Sequence, residues 1–260
     1  MSLPSGGFKL ELGGTLPRID VAYETCGHVS PARDNVVFVC HALTGDAHVA
    51  GLRPGETEPS GWWEGMVGPG RAIDTDRYQV VCANVLGGCK GTTGPSSVNP
   101  ATGKPYGSFF PRLTLGDTVE VYRLLLRDLG VTRLTAVIGG SFGGMQTLEW
   151  AFAHPGEVDR AVVIASATAL NTQALAFDIV GRHAIVDDPD WLQGDYYGKD
   201  GPVSGLANAR QLAHITYLSQ ELMDDKFGRA KQESWLAKGP EFSAAQARNF
   251  GTLFRIESYL

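Results

Sequence analysis

Residues 134–150 read LTAVIGGSFGGMQTLEW. Residues 134–138 form a short, apolar, β-rich run. Gly139-Gly140-Ser141-Phe142-Gly143-Gly144 follows, and helix-forming residues begin at Met145. This is G-x-S-x-G in a strand–turn–helix context, an arrangement that forces the serine into a tight turn and lifts its hydroxyl at the carboxyl end of a sheet. Gly139 and Gly143 carry no Cβ, so strand and helix can cross closely there. Ser141 is therefore the candidate nucleophile. A phosphate-cradling loop would need G-x-x-x-x-G-K-[ST] or G-x-G-x-x-G, and neither pattern occurs.

Residues 8–12 and 19–25 are short and alternating, which predicts an antiparallel hairpin. Residues 36–40, 78–85, 134–138 and 161–167 are continuous Val/Ile-rich runs, which predict buried parallel strands. A helix is expected over about 116–129, with Val119, Tyr122, Leu126 and Leu129 as its apolar face and Gly130 ending it. A second runs from about 143 to 153, stopped by Pro155. This alternation predicts the α/β class with a largely parallel sheet. Two Gly/Pro-rich loops, 53–71 and 87–114, follow parallel strands and should lie at the ligand-binding carboxyl edge. Beyond Ala169 no β-rich run appears, and residues 205–222 and 244–259 read as helices. The expected organisation is an α/β core over 1–169 and a helical region over 170–260.

The chain of 260 residues has a net charge of −6 and no Lys/Arg run, which argues against nucleic acid as a partner. Its start, MSLPSGGFKLELGG, has no basic segment followed by an apolar one, and no apolar stretch approaches membrane-spanning length. A cytoplasmic protein without membrane association is expected. Cys26, Cys40, Cys82 and Cys89 show no C-x-x-C spacing and are read as reduced, mostly structural thiols, Cys89 lying in a Gly-rich loop. His28, His41, His48, His154, His183 and His214 show no metal-ligand spacing, so no metal is expected.

A serine hydroxyl needs a general base, an acid to orient that base, and donors for the oxyanion that forms on the attacked carbonyl. One donor is the N–H after the nucleophile, that of Phe142. The other comes from the loop after the 36–40 strand, CHALTGD (40–46), and is assigned to the N–H of Leu43. The order Ser…Asp/Glu…His removes His41 as the base. His154, His183 and His214 are read as structural or surface residues. No convincing base or acid stands within the 260 residues.

Four stretches together carry a family resemblance: CHALTGDAHVAG (40–51), ANVLGGCKGTTGPSSVNPATGKPYG (83–107), GGSFGGMQTLEWA (139–151) and GLANARQLAHITYLS (205–219). On them the chain resembles the homoserine O-acetyltransferases of methionine biosynthesis, within the α/β-hydrolase superfamily. That resemblance implies an α/β-hydrolase fold with a helical lid and a homodimer. It implies that acetyl-CoA, as co-substrate, acetylates Ser141, and that the acetyl group passes to the hydroxyl of L-homoserine without metal or bound prosthetic group. Arg210 matches the arginine that holds the substrate carboxylate. Independently of the family, Leu206, Arg210, His214 and Tyr217 fall on one helix face. By the same resemblance the chain is C-terminally truncated, with the last core strands and the catalytic Asp and His expected beyond Leu260. Phe142 stands where methionine is common. Succinyl-CoA as donor, serine as acceptor, plain ester hydrolysis and an inactive fragment are the alternatives.

Overall fold

The computed structural model describes residues 6–227. Its elements are β1 (Phe8–Lys9), β2 (Thr15–Leu16), β3 (Tyr23–Cys26), β4 (Val36–Cys40), β5 (Val67–Gly68), β6 (Ile73–Asp74), β7 (Gln79–Ala83), α1 (Leu115–Asp128), β8 (Ala136–Gly140), α2 (Phe142–Ala153), β9 (Ala161–Ile164), α3 (Thr172–Val186), α4 (Val203–Tyr217) and α5 (Gln220–Phe227). Two compact units divide after Ala169. The central sheet belongs to the first and has the order β3-β7-β4-β8-β9. Every pairing in it is parallel except β3 with β7. The α/β class with a mostly parallel sheet is thus what forms. The expected hairpin does not: β1 pairs with β2 across a tight turn, and β3 joins β7 at the sheet edge.

Strand β4 lies at the centre of the sheet and is buried along its whole length. Its side chains alternate between two apolar layers. Val36, Phe38 and Cys40 pack with Val119, Tyr122 and Leu126 of α1 and with Trp150 of α2. Phe38 sits 4.8 Å from the Tyr122 ring and 5.1 Å from that of Trp150, centroid to centroid. Val37 and Val39 face the other way and pack with Val80, Cys82, Val49, Val67 and Ile73. The segment leading through β5 and β6 therefore covers the second face where such sheets usually carry a helix.

Helix α1 starts at a capping box. The Thr114 hydroxyl accepts from the Asp117 N–H, and the Asp117 carboxylate accepts from the Thr114 N–H. It ends as expected at Gly130, whose φ of 72° suits glycine and lets the Val131 N–H return to the Leu126 carbonyl. In the second unit, α3 and α4 pack together, around a small core of Ile185, Tyr196, Leu206 and Ala209. The continuous helix expected over 205–222 is interrupted, because Leu218 turns extended at ψ 140° before α5 begins. The helix expected over 244–259 lies outside the described residues. Among the described residues, no helix is long and apolar enough to cross a membrane.

Candidate active site

Ser141 joins β8 to α2 with φ 54° and ψ −122°, and its side chain is exposed. A non-glycine residue there carries strain of about 1–3 kcal/mol, which the surroundings must hold in place. The crossing of β8 and α2 does so. A Cβ on Gly139 would lie 2.0 Å from the Gly143 carbonyl oxygen, so only glycine permits this approach. The Ser141 N–H bonds to the Ile164 carbonyl at 3.0 Å, continuing the β8–β9 pairing to the tip of the turn. Phe142 is the first residue of α2, and the opening amides of a helix have no partner inside it. The Phe142 N–H is therefore available beside the serine.

The loop after β4 reaches the same place. A Cβ on Gly143 would sit 2.1 Å from the Cys40 carbonyl oxygen and 3.0 Å from that of His41. Gln146, fully buried on α2, donates to the His41 carbonyl at 3.3 Å. Leu43 is a central residue of the turn that the Gly45 N–H closes onto the Ala42 carbonyl at 2.9 Å. That turn leaves the Leu43 N–H outside its own hydrogen bond. The two segments singled out in sequence for oxyanion donation thus pack against each other.

His41 has a different role from the one its position suggests. It is 2% exposed; its Nδ1 lies 2.7 Å from the Ala42 carbonyl, and its Nε2 accepts the Val85 N–H at 3.2 Å. That pattern puts the ring proton on Nδ1. Burial pushes the imidazole pKa below its ordinary value. His48 bonds Glu24 and Ser60, and His154 pairs with Glu120 at 2.7 Å. Among the described residues of the first unit, no histidine is hydrogen-bonded to the Ser141 hydroxyl.

All four cysteines are free thiols. Cys40 lies beneath the elbow, where burial pushes its thiol up to about 12. It is a packing residue there, with no thiolate available at neutral pH. Cys89 is buried in its loop.

Beside Thr44 and Gly45 a cavity of about 150 Å³ is lined by Asp46, His48, Arg53, Ser60, Trp62 and Lys90. Its charges pair internally. Lys90 meets Asp46 at 2.5 Å, and Arg53 bonds Glu24 at 2.8 Å. Burial alone would raise the Asp46 carboxyl, but the Lys90 ammonium and the His48 N–H outweigh it and hold it below the usual range. This network ties the loop after β4 to the Gly-rich loop that carries Lys90. The sequence did not reveal it, because its members are spread over strands and loops from Glu24 to Lys90.

In the second unit, Arg210 lies on α4 and is buried. The helix face noted in sequence changes along its length. Leu206 and Arg210 are buried, His214 is half-buried, and Tyr217 is exposed at 64%. Arg210 is therefore not on a solvated face, whereas Tyr217 is exposed.

A mostly parallel sheet, a glycine-lined strand-to-helix elbow and a strained, exposed serine define the alpha/beta hydrolase fold, and the chain matches that family over residues 35–252. It is 54% identical over 228 residues to a homoserine O-acetyltransferase of Methanococcoides burtonii, covering 88% of this chain and 47% of that protein. The crystal structure of a homoserine O-acetyltransferase from Bacillus anthracis superposes with a TM-score of 0.84 at 30% identity, covering 97% of this chain and 71% of that one. The crystal structure of esterase E22 superposes with a TM-score of 0.83, also at 30% identity, over 97% of this chain and 73% of that one. The chain belongs to the homoserine O-acetyltransferase family of the alpha/beta hydrolases, as the four motif stretches implied. It spans about half the length of the curated relatives it matches.

Proposed function

We propose that this protein transfers an acetyl group from acetyl-CoA to the hydroxyl of L-homoserine, a step of methionine biosynthesis in the cytoplasm. Ser141 attacks the thioester carbonyl and its proton passes to a general base. The tetrahedral oxyanion is held by the N–H groups of Leu43 and Phe142; collapse expels CoA thiolate, which takes up a proton, and leaves acetyl-Ser141. The homoserine hydroxyl then attacks the ester, its proton passing to the same base, and the Ser141 oxygen leaves and takes that proton up. Arg210 holds the acceptor carboxylate, a task suited to a planar bidentate donor. The region after Ala169 serves as lid and pairs two subunits. The sequence of events needs no metal and no bound prosthetic group.

The observation that carries this reading is the elbow itself. An exposed serine is held at φ 54° with the first amide of α2 beside it and the Cys40–His41 backbone packed on Gly143. The relatives named homoserine O-acetyltransferase supply the choice of donor and acceptor. Free CoA release measured in the full-length protein tests it. Continuous release beyond one equivalent per site is expected only with homoserine present, and Ser141→Ala is expected to abolish both the burst and the turnover. CoA release surviving in that variant would overturn the nucleophile assignment, and a faster reaction with succinyl-CoA or with serine would replace the donor or the acceptor.

A second reading has a specific observation behind it, the equally good superposition of esterase E22. If water accepts the acetyl group, acetyl-CoA or a simple acetyl ester is hydrolysed at the same rate with and without homoserine.

A further inference from the structure

Both candidate oxyanion donors belong to peptide groups whose carbonyls are gripped from the far side. A peptide is planar and trans, so its C=O and N–H point in opposite directions. Fixing the carbonyl fixes where the N–H points. The Phe142 N–H shares its peptide with the Ser141 carbonyl, which accepts the Ser166 hydroxyl at 2.7 Å and the Gly144 N–H at 2.9 Å. The Leu43 N–H shares its peptide with the Ala42 carbonyl, which accepts His41 Nδ1 at 2.7 Å and the Gly45 N–H at 2.9 Å.

Each side-chain grip is itself held. His41 Nε2 accepts the Val85 N–H, so its single proton stays on Nδ1, aimed at Ala42. Ser166 follows Ala165, which is turned to φ 47°, and lies so close to α2 that a Cβ on Gly144 would fall 2.5 Å from the Ser166 Cβ. Neither residue bears on the nucleophile hydroxyl. Both bear on the peptide that would receive negative charge.

We propose that His41 and Ser166 are the positioning residues of the oxyanion hole, one side-chain donor for each of its two peptides. They keep the two N–H vectors aimed at the place where charge develops. By donating to the carbonyl of the same peptide they also polarise it, which strengthens the N–H as a donor. The inference rests on the reading of Leu43 and Phe142 as oxyanion donors to chemistry at Ser141.

The test is the burst of CoA released on acylation in the full-length protein, with the acetyl adduct on Ser141 detected by mass spectrometry. Ser166→Ala is expected to slow acylation about tenfold or more while the KM for acetyl-CoA stays within about twofold, since the lost interaction acts in the transition state. Ser166→Thr keeps a hydroxyl and is expected to restore most of the rate. At position 41 the two amide substitutions separate positioning from anchoring. Asn places an N–H near Nδ1 and is expected to retain acylation. Gln reaches toward the Nε2 position and is expected to lose it. A rate unchanged in Ser166→Ala, or Gln outperforming Asn at position 41, overturns the proposal. An unsubstituted protein that turns over with no adduct on Ser141 overturns instead the reading on which it rests.

Discussion

Gln146 on α2 donates its side-chain N–H to the main-chain oxygen of His41 at 3.3 Å, and this bond joins the helix behind Ser141 to the loop after β4. The same side chain accepts the Tyr122 hydroxyl at 2.9 Å, so one fully buried amide links α1, α2 and that loop. Gln146→Leu is of similar size but leaves the Tyr122 hydroxyl without that acceptor and the His41 carbonyl without that donor, in a site closed to water. Each such group costs about 1–3 kcal/mol, so a loss of about 2–5 kcal/mol is expected. Denaturant unfolding of the variant measures it, and a loss below about 1 kcal/mol would show that the loop is held by other contacts.

The two glycines that precede Ser141 should respond in opposite ways to the same substitution. A Cβ at Gly139 would meet the Gly143 oxygen at 2.0 Å and Thr147 Oγ1 at 2.7 Å, whereas at Gly140 the nearest atom is the Ile164 oxygen at 3.7 Å. Gly139→Ala must push α2 off the sheet, at an expected cost of about 3 kcal/mol or more. Gly140→Ala meets ordinary contact distance and is expected to stay within about 1 kcal/mol of the parent. Thermal unfolding of the pair decides it; equal losses would mean that the close crossing of strand and helix is not what Gly139 serves.

These glycines also show why some of the molecule was legible in sequence. The elbow is encoded within a few neighbouring residues, so G-x-S-x-G with its flanking strand and helix suffices to read it. The runs at β4, β7 and β8 were equally plain, because strands buried on both faces are apolar throughout. Long-range pairings left no such mark. Strand β3 alternates exposed and half-buried residues and finds β7 across more than fifty residues of chain, a choice its four residues do not announce. The break at Leu218 carries no Gly or Pro signal. Chain order alone removes His41 as a base. Its bonds to Ala42 and Val85, and that of Ser166 to Ser141, involve backbone atoms, which a residue pattern does not display.

His41 should make the fold sensitive to mild acid. Its folded pKa lies below the ordinary 6.5 because burial disfavours the imidazolium. Above that value both folded and unfolded states are neutral at this position and its contribution is fully present. As pH falls from 6.5 toward the lowered folded pKa, only the unfolded state takes up the proton and stability is lost, at up to about 1.4 kcal/mol per pH unit. Asn does not titrate, so His41→Asn removes this slope and leaves a constant offset for the missing Val85 acceptor. Unfolding free energies of both proteins between pH 7 and pH 5 provide the check. Parallel curves would mean that His41 accepts a proton in the folded state without penalty.

The Arg123–Glu157 pair should show the same linkage with a carboxylate. Arg123 on α1 meets both Glu157 oxygens, at 2.7 and 2.5 Å, and bonds Glu120 at 2.7 Å. It thereby ties α1 to the turn that precedes β9. The Arg123 guanidinium beside Glu157 holds its carboxyl below the usual range, burial opposing this more weakly. The stability from the pair is therefore present above the unfolded carboxyl's 4.5 and is lost as pH falls through the lower folded value. The Arg123 side chain is only 12% exposed, so the pair is screened less than a surface bridge. Arg123→Ala is expected to cost about 1.5–3 kcal/mol at pH 7. Arg123→Lys keeps the charge but not the fork, and should fall between the two. Because protonating Glu157 ends the interaction in the parent as well, the gap between parent and Arg123→Ala should narrow steadily below about pH 4.5. A gap of constant size from pH 7 to pH 3 would show that Arg123 stabilises the fold by packing its stem rather than through Glu157.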